Sequence, residues 1–120
     1  MFYTDYMGNL IITRQNSGWL DVTPLNGDGE PYEMKEGDKI IFTVASRKGE
    51  VIRKELDYSS WDEEEKKVQV YLSSEDTDIE PGLYEYDCLY DFVSADLANF
   101  PRKRKVKITA GVSRRNGDES

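Results

Sequence analysis

Four groups of residues are of types that could do chemistry. The run Asp62-Glu63-Glu64-Glu65 concentrates carboxylates, and two carboxylates facing each other across a cleft are what glycoside hydrolysis needs. Asp76-Thr77-Asp78-Ile79-Glu80 offers several of the hard oxygens a calcium ion takes, without the glycine-punctuated spacing of a calcium loop. Cys88 is the one thiol. Arg102-Lys103-Arg104-Lys105, followed by Lys107, looks like a nucleic-acid patch. An absence narrows these options. The chain has no histidine, which removes the usual general base, the commonest metal ligand and every Ser-His or Cys-His pair. Charge runs between elements are usually solvated surface. The expectation is a protein without catalytic residues, metal site or cofactor, and so not an enzyme.

The elements that must position these groups are strands. Tyr, Val, Ile and Thr cluster in short segments separated by turn residues, and no helical period lasts three turns. About seven strands are expected. They lie near Asn9 to Thr13, Trp19 to Val22, Lys39 to Ser46, Glu50 to Leu56, Val68 to Leu72, Gly82 to Asp91 and Lys105 to Val112. Asn26-Gly27-Asp28-Gly29 and Arg47-Lys48-Gly49-Glu50 are turns. Tyr58 to Lys67 is a polar connection with room for a short helical turn. In Glu50 to Leu56, Ile52 and Leu56 share a face, with Lys54 between them as the exception. This pattern predicts an all-β domain, an immunoglobulin-like antiparallel β-sandwich over residues 1–113, with a frayed charged tail at 114–120.

Strand periodicity then reassigns the reactive groups. Cys88 shares a face with Tyr84, Tyr86 and Tyr90, where a thiol behaves as a small buried hydrophobe. Lys103, Lys105 and Lys107 share a face of the last strand, and Glu85, Asp87 and Asp91 share the outward face of the preceding one. Antiparallel pairing of these strands, with Asp87 opposite Lys107 and Tyr86 opposite Ile108, makes the basic run a charged interface strand. Pro81-Gly82-Leu83-Tyr84-Glu85-Tyr86 has the form of a tyrosine corner. Tyr84 is the candidate whose hydroxyl bonds back to upstream backbone. Trp19, Tyr58 and Trp61 are the candidate exposed aromatic platform, which would serve a carbohydrate-binding module, although burial is the commoner use of such rings and would place Trp19 in the core and Trp61 in loop packing.

Composition sets the remaining bounds. A chain of 120 residues is one domain by size, and a single cysteine excludes an internal disulfide. A net charge of −8 argues against nucleic acid as a general partner. No run of about 18 apolar residues is present to span a membrane, and the N-terminus lacks the pattern of a secretory signal. The expected place of action is the cell that makes the protein, or an assembly that carries it out. Glu55 to Asp96 holds 14 acidic and 2 basic residues, whereas Pro101 to Ser120 holds 7 basic and 2 acidic. Such asymmetry can pair between subunits or within one.

Several segments resemble a known family. Asn26-Gly27-Asp28-Gly29-Glu30-Pro31-Tyr32, Gly37-Asp38-Lys39-Ile40-Ile41-Phe42-Thr43-Val44, Leu72-Ser73-Ser74-Glu75-Asp76-Thr77, Pro81-Gly82-Leu83-Tyr84-Glu85-Tyr86-Asp87 and the closing Gly111-Val112-Ser113-Arg114 are similar to the N-terminal domain of the phage baseplate upper protein family. The resemblance covers Asp28 through Arg114. It departs at the N-terminal strands and in ending soon after the domain. It implies a β-sandwich that attaches other parts of a phage or prophage tail, with no catalytic residues to carry over. The implied partners are other tail or baseplate proteins and further copies of the chain, with no nucleic acid and no membrane. The implied location is the host cytoplasm before assembly and the virion afterwards. A cell-surface glycan is the partner under the alternative, carbohydrate-binding reading.

Overall fold

The computed structural model describes residues 1–25, 29–93 and 104–110. Nine strands form among them: β1 (Phe2–Thr4), β2 (Leu10–Thr13), β3 (Gly18–Val22), β4 (Lys39–Ser46), β5 (Gly49–Asp57), β6 (Trp61–Asp62), β7 (Lys67–Leu72), β8 (Gly82–Asp91) and β9 (Arg104–Thr109). The only helical turn among the described residues is a 3-10 turn at Tyr58–Ser60, within the connection expected to hold one. All seven expected strands are present, and two short ones join them. Phe2–Thr4 and Trp61–Asp62 have three and two residues, too few to display a period.

Two sheets pack face to face. One has the order β1-β2-β9-β8-β4-β5 and the other β3-β7-β6. Alternation decides which side chains enter the space between them. Ile40, Phe42 and Val44 of β4 are buried. They are joined by Leu10, Ile12, Ile52, Leu56, Cys88, Val106 and Ile108 from the same sheet, and by Leu20, Val22, Val68, Val70 and Leu72 from the other. The expected inward face of the last strand holds for Val106 and Ile108, while Ala110 is exposed. Residues 111–112 of that expected strand, the turn at 26–28 and the tail at 114–120 lie outside the described residues.

One pairing departs from the antiparallel expectation. β2 runs parallel to β9, with Leu10 beside Val106 and Ile12 beside Ile108. Four buried side chains thereby meet in one layer, and β1 closes the margin as the antiparallel partner of β2.

The β8–β9 pairing is antiparallel as expected, but its register is shifted. Lys107 lies opposite Leu83 and Lys105 opposite Glu85. On its β4 side Asp87 lies beside Thr43. The shift has an even number of residues, so every side chain keeps its expected face. In the observed register Val106 lies opposite Tyr84 and Ile108 opposite Gly82.

Two buried polar residues fasten the connections to this core. The Asp38 carboxylate accepts hydrogen bonds from Tyr32 Oη at 3.1 Å, the Lys35 amide at 2.9 Å and the Val93 amide at 2.9 Å. Thr77 Oγ1 donates to the Asn16 carbonyl at 2.8 Å, tying the β7–β8 connection to the β2–β3 connection. Gly37, just before Asp38, has φ +97°, a conformation that a side-chain-bearing residue would adopt only with strain.

Candidate functional site

The acidic groups are engaged in local structure. Asp62 Oδ1 accepts from the amides of Glu64 at 3.0 Å and Glu65 at 3.1 Å, so it closes its own turn on the surface. Asp76 Oδ2 receives the Ser73 amide and the Lys54 ammonium, both at 2.8 Å. Burial opposes its ionisation, yet these partners hold its carboxyl below the usual range. Asp78 Oδ1 accepts from Arg14 Nε at 2.8 Å. Among the described residues, no group of three or more His, Cys, Asp or Glu is arranged to hold a metal ion.

Lys54 explains the exception in its strand. It lies between Ile52 and Leu56 on the inner face of β5, opposite Phe42. Its stem passes inward and its ammonium emerges at Asp76. β5 is an edge strand, and an inward-pointing charge there discourages a further strand from adding to the edge.

Cys88 faces inward opposite Phe42 and is buried. Desolvation, with Asp87 nearby, pushes its thiol up to about 12, so the thiolate needed for nucleophilic chemistry is suppressed. The tyrosines of the same face are anchored individually. Tyr84 Oη donates to the Glu80 carbonyl at 2.6 Å, a bond back to upstream backbone. Tyr86 Oη donates to the Gly8 carbonyl at 2.6 Å and holds the β1–β2 hairpin. Tyr90 stacks on Phe92, which stacks on Tyr32.

Of the charged interface strand, Lys105 and Lys107 project from the outer face of the large sheet, and Lys103 lies outside the described residues. Lys105 Nζ is 3.7 Å from Glu85, in a pair exposed on both sides. Lys107 stands opposite Leu83, an apolar side chain that is 71% exposed.

The aromatic trio is not one platform. Trp61 is paired with buried Val68, so it points inward and packs against the core. Tyr58 sits on the separate 3-10 turn. Trp19 is not in the core: it alternates with buried Leu20 and is 58% exposed on the outer face of the small sheet. Its partner there is Tyr71, 4.7 Å away between ring centroids and tilted by 45°. Tyr71 was legible in principle, because it alternates with buried Val70 and Leu72 and must therefore face outward.

A groove of about 710 Å³ opens at one end of the sandwich. Its walls are Arg47 and Lys48 of the β4–β5 turn with Val51 of β5, and Ile79 and Pro81 of the β7–β8 connection with Leu83 of β8. Arg14 and Asp78, already paired, line it as well. Compared with family models, curated proteins and solved structures, the chain matches none.

Proposed function

We propose that the chain is a non-catalytic structural component of a phage or prophage virion, a homo-oligomeric tail or baseplate adaptor that works through protein–protein interfaces. The observation that carries this reading is the groove. The segment Pro81-Gly82-Leu83-Tyr84, central to the family resemblance, forms one of its walls, and Leu83 stands 71% exposed there. With exposed Val51 in the same groove it makes an apolar patch beside basic Arg47 and Lys48, the kind of surface that a protein partner covers.

The sheet order supports an immunoglobulin-like architecture. β9-β8-β4-β5 opposite β3-β7-β6 follows the G-F-C-C′ over B-E-D arrangement of those sandwiches. The pairing of Lys105 with Glu85 favours a role for the basic strand within the sheet over one on nucleic acid. No helix among the described residues is long and apolar enough to cross a membrane. On this reading the chain is made in the host cytoplasm, joins other tail or baseplate proteins and leaves in the virion.

A pull-down of the tagged protein from an induced-prophage lysate tests the reading. It predicts tail or baseplate proteins in fixed stoichiometry, and their loss with Leu83→Asp. A wild-type protein that retains none of them would overturn it. Native mass spectrometry showing only monomer at micromolar concentration would remove the homo-oligomer.

A further inference from the structure

The outer face of the small sheet carries two kinds of groups in adjacent rows. Trp19 of β3 stands opposite Tyr71 of β7, and the next outward pair is Asp21 opposite Gln69. Beyond these, Lys67 stands opposite Asp62 of β6. Successive rows are two strand residues apart, about 7 Å. The first row is two exposed rings in contact. The second is a fixed polar cluster, in which Asp21 Oδ1 accepts from Gln69 Nε2 at 2.9 Å and Oδ2 from Lys67 Nζ at 3.1 Å. None of these residues contributes to the groove or to the core.

We propose that this face, with Trp19 and Tyr71 as the stacking surface and Asp21, Gln69 and Lys67 as the hydrogen-bonding row, is a binding site for neutral oligosaccharide. A pyranose presents C–H groups on one side and hydroxyls, both donors and acceptors, around its rim. The rings match the first and the polar row the second. The two rows sit at a spacing that one sugar unit and its neighbour can bridge.

Three observations favour sugar over a protein partner. The centre of a protein interface is depleted of charge, whereas here Asp21 lies in the row next to the rings and Lys67 and Asp62 in the row beyond it. The polar groups are already ordered by their mutual bonds, so a weakly held ligand need not supply the energy to order them. All five residues of β3 pair with β7, which makes the platform rigid. The formal charge of −8 selects against polyanionic glycans. The site is independent of the virion reading and of the groove at Leu83.

Amide-resolved NMR titration of the isotope-labelled protein tests the proposal, with cellohexaose, maltohexaose and the hexamer of N-acetylglucosamine as probes. The expected result is saturable shifts confined to β3 and β7 with at least one probe, and a dissociation constant on the order of 1 mM or tighter. Trp19→Ala should weaken binding at least tenfold. Tyr71→Ala should weaken it severalfold, and Tyr71→Phe should retain it. Both rings are exposed, and the unchanged remainder of each variant's spectrum reports that it is folded. Asp21→Ala separates a polar contribution from simple adhesion to the rings, and should also weaken binding. The proposal is overturned if none of the three probes shifts the wild-type resonances, or if binding survives Trp19→Ala. It is equally overturned if Trp19→Ala abolishes capture of tail proteins while the sugars remain inert.

Discussion

Replacement of Asp38 probes how the connections are attached to the sandwich. Its carboxylate is fully buried and serves three donors on two segments: Tyr32 Oη and the Lys35 amide of the β3–β4 connection at Oδ2, and the Val93 amide after β8 at Oδ1. Asp38→Ala deprives all three. The half-buried Tyr32 hydroxyl can turn to water, which leaves two amides at about 1–3 kcal/mol each. Lys35 and Val93 are themselves exposed residues, so the amides recover part of that loss from solvent. The net expectation is about 2–4 kcal/mol, a large share of the 5–15 kcal/mol typical of a domain. Asp38→Asn is milder. Its single oxygen can serve Tyr32 and Lys35, and its NH2 group then meets only the Val93 amide, one donor against one donor, for about 1–2 kcal/mol. Urea unfolding followed by circular dichroism measures both, with an unchanged m-value expected. Equal losses for Asn and Ala, or a loss below about 1 kcal/mol for Ala, would refute the assignment of separate donors to the two oxygens.

Other perturbations test other parts of the structure. The Cys88 thiol should resist a disulfide reagent at about pH 8 in the folded protein and react at least about 10³-fold faster in denaturant, as measured by release of the chromophore; rapid native labelling would contradict its burial. Lys54→Met should change stability by no more than about 1 kcal/mol while increasing self-association in sedimentation velocity, because it removes the inward charge of edge strand β5; a profile identical to wild type would reject the edge-guarding role. The carboxyls of Asp5, Asp21, Glu33, Asp57 and Asp76 are all held below the usual range. Groups with depressed folded values contribute stability above their unfolded values and lose it as pH falls through the folded ones, so thermal stability should decline below about pH 4. Burial raises Cys88 and Tyr90 to about 12. Their contribution is complete below the unfolded values and is lost as pH rises through the folded ones, so a second decline should begin above about pH 9; a flat alkaline profile would contradict their burial.

Much of the fold was legible because the large sheet obeys a period of two. β4 and β8 have the bounds that alternation in Lys39–Ser46 and Gly82–Asp91 predicted, since each is long enough to display several repeats. The parallel β2–β9 contact was not legible. Leu10-Ile11-Ile12 has the same periodicity whichever direction its neighbour runs, and packing of Leu10 and Ile12 on Val106 and Ile108 decides the outcome. The β8–β9 register was missed for a related reason. Charge complementarity offered Asp87 for Lys107, but surface pairs contribute only tenths of a kcal/mol up to about 1, and alternation does not choose between registers four residues apart that leave every side chain on its face. The buried Asp38 and Thr77 were also missed, because their partners lie on segments whose approach depends on the complete fold.

The same hierarchy explains why the candidate binding residues were only half legible. Core positions are determined by a strong, local signal, and the outward positions are what remains when that signal is subtracted. Trp19 and Tyr71 become neighbours through β3 pairing with β7, a contact between residues 52 positions apart in the chain. Trp61, grouped with Trp19 by residue type alone, is turned inward by its pairing with Val68. Residue type proposes the candidate rings, but strand pairing decides which of them share a surface. Trp19, Tyr71, Asp21 and Gln69 meet on one face because two strands of unlike composition present their outward residues in matching register. The inward residues of those strands, Leu20, Val22, Val68, Val70 and Leu72, are buried in the core. Burial of that inner face therefore holds the outer one in place. A substitution on the outer face can abolish binding without unfolding the domain, whereas one on the inner face would lose both together.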